Sequence, residues 1–223
     1  MSDISTDNKK KKFNKILIKW IKNNHRDFHW RENRDPYKVF VAEFLLKRTT
    51  STAAHREYLH FLERYPNIQT LADADISELE KELGPIGLHK QRAKGVKEAA
   101  VYIMKNYNGK FPKTFEKLLK VPHIGKYTAA CILSFGMNIP APAIDSNGQR
   151  IISRFFRESI GDFSSSNKIL AFSWGLVPRK EHVLFNYGLI DFGAIICTYR
   201  GCSKEKCPLH VDCDLFQSKI KYS

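Results

Sequence analysis

Seventeen residues near the carboxyl end, "CTYRGCSKEKCPLHVDC", carry four thiols: Cys197, Cys202, Cys207 and Cys213, with four, four and five residues between them. Thiolates this close in sequence can hold an iron–sulfur cluster or a zinc ion. Upstream, "VPHIGKYTAACILSFGMNIPAPAIDSNGQR" (121–150) places a Pro-x-x-Gly turn before a helix, then delivers one carboxylate, Asp145, from a proline-rich loop. Backbone N–H groups at a helix start near Lys126 suit an anionic oxygen; the same turn also serves as plain packing between two short helices. Proline limits the freedom of the loop, so Asp145 can be held rigidly to meet a cation. It can equally cap the helix "SNGQRIISRFF". The two roles are compatible, because a helix start stabilises the anion.

The elements that must position these groups are helical. "FNKILIKWIKNN" spaces Phe13, Ile16, Leu17, Trp20 and Ile21 as one apolar stripe. Residues 36–65 read as a long helical region with a break near "TTST", and "ISELEKEL" as a short helix ending at "GPIG". "HKQRAKGVKEAAVYIMKNY" runs as a helix to the turn "NGKFP". "TFEKLLKV" is another helix, with Thr114 as its N-cap. A Ser-rich link, "GDFSSSN", precedes helices near 166–175 and 182–196. No alternating run needs a strand, so the fold class is all-α.

With 223 residues, 43% of them hydrophobic, the chain can bury a real core in one large domain or two lobes. Its 37 Lys and Arg against 23 acids give a formal charge of +14. That excess favours a polyanionic partner through counterion release, or serves as a basic surface for solubility. The run "KKKK" at 9–12 is expected to be a mobile tail that touches phosphates without reading them. No stretch is long and apolar enough for a membrane span, and no secretory signal is seen, so an intracellular protein is expected. Five cysteines then do not imply disulfides, and Cys131 reads as a small buried hydrophobe.

Taken together, "VPHIGKYTAA" and "AIDSN" resemble the helix-hairpin-helix DNA glycosylase superfamily. "RDFHWRENRDPYKVFVAEFLLKRTT" is similar to the amino-terminal signature of its adenine and thymine mismatch branch. "IGLHKQRAKGVKEAA" and "LFNYGLIDFGAIIC" resemble two further helices of that branch, and the likeness spans roughly residues 13–214. It implies a six-helix barrel (24–137) with the hairpin, and a lobe built from both termini (1–23 and 138–223) with a cluster loop at 197–213. It also implies a cleft between them and double-stranded DNA with a mismatched base as the partner of a monomer.

The implied activity is cleavage of the N-glycosidic bond of an extruded nucleotide. Asp145 would stabilise or capture the positive charge left on the sugar. Asn147 would orient that carboxylate, and Glu43 would protonate or hydrogen-bond the departing base if burial raises its pKa. Bifunctional relatives have a lysine where this chain has Tyr127, and Lys126 is turned by about 100° on the helix. A monofunctional enzyme is therefore expected. "LKRTT" resembles the thymine type rather than the adenine "LQQT", and little follows residue 216 for an oxidised-guanine domain. Thymine or uracil opposite guanine is the expected substrate. Lys47 and Arg48 are candidates to fill the gap or read the orphaned guanine, and Leu88 to wedge between bases.

Two departures stand out. Relatives space their cluster ligands six, two and five residues apart, where this chain has four, four and five. A [4Fe-4S] cluster is implied by the resemblance, with zinc the alternative. His123 replaces the first hairpin glycine, which permits positive φ and close approach to phosphate; it joins Gly125 and Lys126 as the DNA-gripping turn. Two other readings are an adenine glycosylase lacking its second domain and a non-catalytic DNA-binding protein.

Overall fold

Helix signals recur along the whole chain, and the computed structural model, which describes residues 4–160, 165–200 and 205–221, follows them. Among the described residues there are fourteen α-helices and no strand, as the all-α reading requires. In chain order they are α1 (Ile4–Asn24), α2 (His29–Glu32), α3 (Pro36–Leu46), α4 (Ser51–Arg64), α5 (Ile68–Asp73), α6 (Ile76–Glu82) and α7 (His89–Tyr107). Then follow α8 (Phe115–Leu118), α9 (Lys126–Cys131), α10 (Ser146–Phe155), α11 (Arg157–Ile160), α12 (Ser166–Trp174), α13 (His182–Ile195) and α14 (Asp214–Lys221). None is long and apolar enough to cross a membrane.

Packing divides the chain into a central unit, Asp27–Ile139, and a terminal unit, Met1–Arg26 with Pro140–Ser223. In the central unit, short polar side chains set the helix starts. Asp35 accepts from the Lys38 N–H at 3.0 Å, directly before Pro36. Thr50, Asp75 and Thr114 cap α4, α6 and α8, and Asn67 with Thr70 forms a reciprocal capping box on α5. Each cap satisfies an N–H that the first turn leaves without an intrahelical partner, which contributes about 1 kcal/mol. The helical stretch over 36–65 does break at "TTST": α3 ends at Leu46, Arg48 turns to φ 52°, and Thr50 caps an α4 that begins at Ser51. Helix α3 is buried all round, and it packs on α4 and on α9, which a π-helical turn (Ile132–Gly136) prolongs. Helices α5 and α6 pack on α7.

In the terminal unit, α1 lies along α13, and α10 packs on α12, α13 and α14. Phe13 of the expected apolar stripe sits 4.8 and 5.2 Å, ring to ring, from Phe155 and Phe156, with Leu17 and Ile21 also buried. The lysine run at 9–12 corrects the expectation of a mobile tail. It forms the middle turns of an α1 that begins at Ile4. Lys9 pairs with Asp214 and lies over the Phe155 and Phe156 rings. Lys12 reaches Asp212 at 2.7 Å, and Lys10 lies 4.8 Å from the centre of the Phe172 ring. The acids and rings that order these lysines are far away in sequence, so local pattern could not show them. Of the Ser-rich link, residues 161–164 lie outside the described residues, and Ser165 caps α12.

Candidate active site

The hairpin turn of the central unit joins α8 to α9. Val121 and Ile124 donate their N–H groups back to the carbonyls of Leu118 and Val121 at 3.1 and 3.2 Å. His123 then adopts φ 63°, a conformation free to glycine and worth about 1–2 kcal/mol of strain to a residue with a Cβ. Three contacts hold it there. Its Nε2 lies 2.6 Å from Glu98 Oε2, and Lys47 Nζ donates to its carbonyl at 2.8 Å. Its ring packs over Gly95, where an added Cβ would come within 3.3 Å of ring atoms. Gly125 caps α9 in extended backbone with no side chain of its own; Gly125 and Lys126 are exposed and Tyr127 is half-buried.

Glu43 lies on α3, one turn before Lys47, and is 8% exposed. Burial lowers the pKa of Lys47, Glu43 partly offsets this, and the neighbouring Arg92 guanidinium adds to the lowering. The Lys47 ammonium sits 4.0 Å from the centre of the Phe44 ring. Lys47, Arg48, Leu88 and His123, spread over 77 residues of sequence, line one pocket of about 370 Å³ together with Gln91 and Arg92 of α7. Arg48 and Leu88, like His123, are non-glycine residues at positive φ, 52° in each case. Three such residues around one pocket mark a stored cost, the kind of strain that collects at functional sites.

Asp145 belongs to the terminal unit and is the N-cap of α10. Its Oδ1 accepts from the Gly148 N–H at 2.7 Å and its Oδ2 from Asn147 Nδ2 at 3.1 Å. Burial raises its pKa above the ordinary aspartate value; the Gly148 and Asn147 donors and the Arg150 charge oppose the rise. The support extends outward. Arg150 Nη2 donates to Asn147 Oδ1 at 2.7 Å and to the Gly193 carbonyl at 2.8 Å, and its Nε to the Cys197 carbonyl at 2.9 Å. The Pro-rich loop is braced by Asn186, fully buried on α13. Its Oδ1 accepts from the Ala143 N–H at 3.2 Å, and its Nδ2 donates to the Ala141 carbonyl at 2.9 Å. Sequence reasoning singled out neither Arg150 nor Asn186, although both sit inside the motifs "SNGQR" and "LFNYG".

Cys197, Cys207 and Cys213 line an apolar cavity of about 160 Å³ with Arg154, Phe155 and Phe216. Cys202, the fourth expected ligand, lies outside the described residues. Arg154 Nη1 stands 3.3 Å from Cys197 Sγ, and Cys213 Sγ 3.5 Å from the Arg154 carbonyl. Among the described residues no three His, Cys, Asp or Glu side chains converge closely enough to hold a single metal ion. Cys131 is buried in α9.

Residues 41–178 match the family described as "HhH-GPD superfamily base excision DNA repair protein". The chain is 34% identical to a thymine/uracil-DNA glycosylase of Methanothermobacter thermautotrophicus, over 96% of this chain and 98% of that one. It is 30% identical to an adenine DNA glycosylase of Buchnera aphidicola subsp. Schizaphis graminum, over 94% of this chain and 62% of that one. The solved structure of a thermostable thymine-DNA glycosylase superposes with a TM-score of 0.91 at 32% identity, covering 96% of this chain and 99% of its counterpart.

Proposed function

The chain belongs to the HhH-GPD superfamily of base excision DNA repair proteins, and from that premise we propose that it is a mismatch-specific DNA glycosylase acting on thymine or uracil opposite guanine. The observation that carries the reading is Asp145. It is a carboxylate on a braced loop, oriented by two donors, in a chain that matches a thymine/uracil-DNA glycosylase along nearly the whole of both sequences.

The chemistry follows from charge. When the bond between the base and C1′ breaks, its electron pair leaves with the base and the deoxyribose becomes cationic. The ionised Asp145 stabilises that charge, water adds at C1′ and loses a proton, and an abasic site remains. Glu43 hydrogen-bonds or protonates the departing base. Tyr127 contacts the extruded nucleotide and, having no amine, forms no Schiff base, so the strand stays intact. His123, Gly125 and Lys126 grip the phosphates of the backbone. Lys47 and Arg48 occupy the gap and read the orphaned guanine, while Leu88, 46% exposed, inserts between bases. Deaminated 5-methylcytosine and deaminated cytosine are the lesions this activity would repair, and DNA inside the cell is its place of work.

The cysteine cavity fits a [4Fe-4S] cluster. Three thiols spread around an apolar space suit a bulky cluster, which keeps its ligands apart, better than zinc, which draws four ligands to about 2.3 Å from one ion. Cys197, Cys207 and Cys213 would hold it with Cys202, and its contribution would be structural, ordering the loop around it. Brown protein containing iron is the expected result of metal analysis; stoichiometric zinc instead would overturn the assignment.

The activity is tested by single-turnover base release from labelled duplexes bearing T·G, U·G or A·8-oxoguanine. Release from T·G and U·G is expected, and Asp145→Asn should retain duplex affinity while losing release. Activity confined to the adenine duplex would refute the substrate assignment. Full activity in Asp145→Asn would remove the proposed role of the carboxylate.

A further inference from the structure

Two chain segments carry the residues just assigned to the gap and the wedge: 47–49, after α3, and 84–88, before α7. Neither is regular structure at its critical point. Arg48 and Leu88 both stand at φ 52°, and Gly87 beside Leu88 at φ 72°, so nothing in the local backbone preference holds Arg48 or Leu88 in place. Thr49 Oγ1 lies 3.5 Å from the Ile86 carbonyl, a long contact between them; the short hydrogen bonds to both segments come from Arg92, one turn into α7 and only 6% exposed.

Its guanidinium spends its donors on both. Nε donates to the Gly87 carbonyl at 2.8 Å, the residue before Leu88. Nη1 donates to the Phe44 carbonyl at 2.6 Å and also lies 3.4 Å from that of Leu45. Nη2 donates to the Lys47 carbonyl and, at 2.5 Å, to Thr49 Oγ1. The Phe44, Leu45 and Lys47 carbonyls are at the end of α3, where the helix has no N–H left to offer them and a cation is electrostatically favoured. The Thr49 hydroxyl in turn lies 3.3 Å from the Lys47 carbonyl. A planar fork with five N–H donors can span two segments in fixed directions; an ammonium on a flexible stem cannot.

We propose that Arg92 is a positioning residue for opposite-base discrimination: one buried guanidinium sets the register of Arg48 against Leu88, so the group that reads the orphaned base and the group that parts the stack are held as a unit. This rests on the reading of Arg48 and Leu88 as DNA contacts. Misplacing a positioned group by about 1 Å costs on the order of 100-fold in rate, and the loss should fall on selectivity, because the carboxylate that does the chemistry is on other elements.

The test compares Arg92→Lys, Arg92→Gln, Arg48→Ala and Leu88→Ala with the wild type in two measurements. The first is the ratio of single-turnover rates on U·G and U·A duplexes, which a smaller folded fraction would leave unchanged. The second is amide hydrogen exchange in the peptides covering 44–50 and 84–89. Both Arg92 variants should lower the ratio roughly tenfold or more and speed exchange in both peptides together. Lysine should fail to rescue, since it restores charge without the fork. Wild-type exchange in Arg92→Gln, or full rescue by lysine, would overturn the clamp whatever the DNA contacts are. If exchange accelerates as expected but Arg48→Ala and Leu88→Ala keep the wild-type ratio, the clamp stands as a structural device and the DNA-contact reading falls. If those two variants lower the ratio and the Arg92 variants do not, the contacts stand and the positioning role falls.

Discussion

Asp145 caps α10, and under the proposed function the same carboxylate meets the cationic sugar; its surroundings pull its proton affinity in opposite directions. Burial raises its pKa, while the Gly148 N–H, Asn147 and Arg150 hold the anion. In stability, a raised folded-state pKa means that the folded protein holds the proton more tightly than the unfolded chain. The side chain therefore opposes folding progressively as pH rises from the unfolded aspartate value, about 3.9, through the raised folded value. The proposed chemistry needs the ionised form, so the acidic limb of the single-turnover rate is expected to lie above that ordinary value. Asn147→Ala removes a donor to the anion and should move the limb to still higher pH while slowing release at low pH most. A limb unmoved by Asn147→Ala would show that Asn147 does not tune the carboxylate. The cap was legible at this residue because one acid stood between a Pro-rich loop and a helix start. Arg150 and Asn186 were not, since their partners, the carbonyls at 193 and 197 and at 141, are 43 to 47 residues away.

At the scale of elements, the site depends on how closely helices approach. Helix α13 comes so near α10 that a Cβ built on Gly193 would lie 2.4 Å from Asn147 Cβ and 3.3 Å from its Cα. Such a clash cannot be relieved by rotating the end of a flexible side chain. Gly193→Ala should therefore push α13 off α10, with a loss of about 1–3 kcal/mol. It should also misplace Asn147, and with it the acid it orients. A lowered Tm together with a base-release rate that falls beyond the loss of folded protein is the expected outcome; wild-type Tm would mean that the helices adjust freely. Helix starts marked by Thr114 or Asp145 could be read from sequence because a cap needs only its own next three residues. The short α2, of four residues and without a side-chain cap, carries too few positions for a period to register, whereas the equally short α8 is marked by its Thr114 cap. His123 shows a subtler limit. Its departure from glycine was visible, but the space over Gly95 and the Glu98 partner that accommodate it became apparent only in three dimensions.

Over the whole molecule, a formal charge of +14 favours a polyanionic partner, yet the lysines differ in what holds them. Lys9 is committed to the buried Asp214, which also accepts the Glu158 N–H at 2.8 Å, and Lys12 to Asp212. Both acids flank Cys213, so the densest basic run in the sequence ties α1 to the end of the cysteine loop. Lys126 opens α9 just after the hairpin turn and is exposed. Removing one lysine–phosphate interaction should flatten the dependence of log affinity on log salt by about 0.9. Lys126→Ala is accordingly expected to reduce the slope for duplex binding by about that amount. Lys9→Ala should leave the slope unchanged and instead destabilise the fold by about 1–3 kcal/mol, because the buried Asp214 loses its partner. Titrations of both variants between low and moderate salt, with Tm measured alongside, separate the two roles. Equal flattening by the two substitutions would return the amino-terminal lysines to the DNA and break the division of labour inferred from their ion pairs.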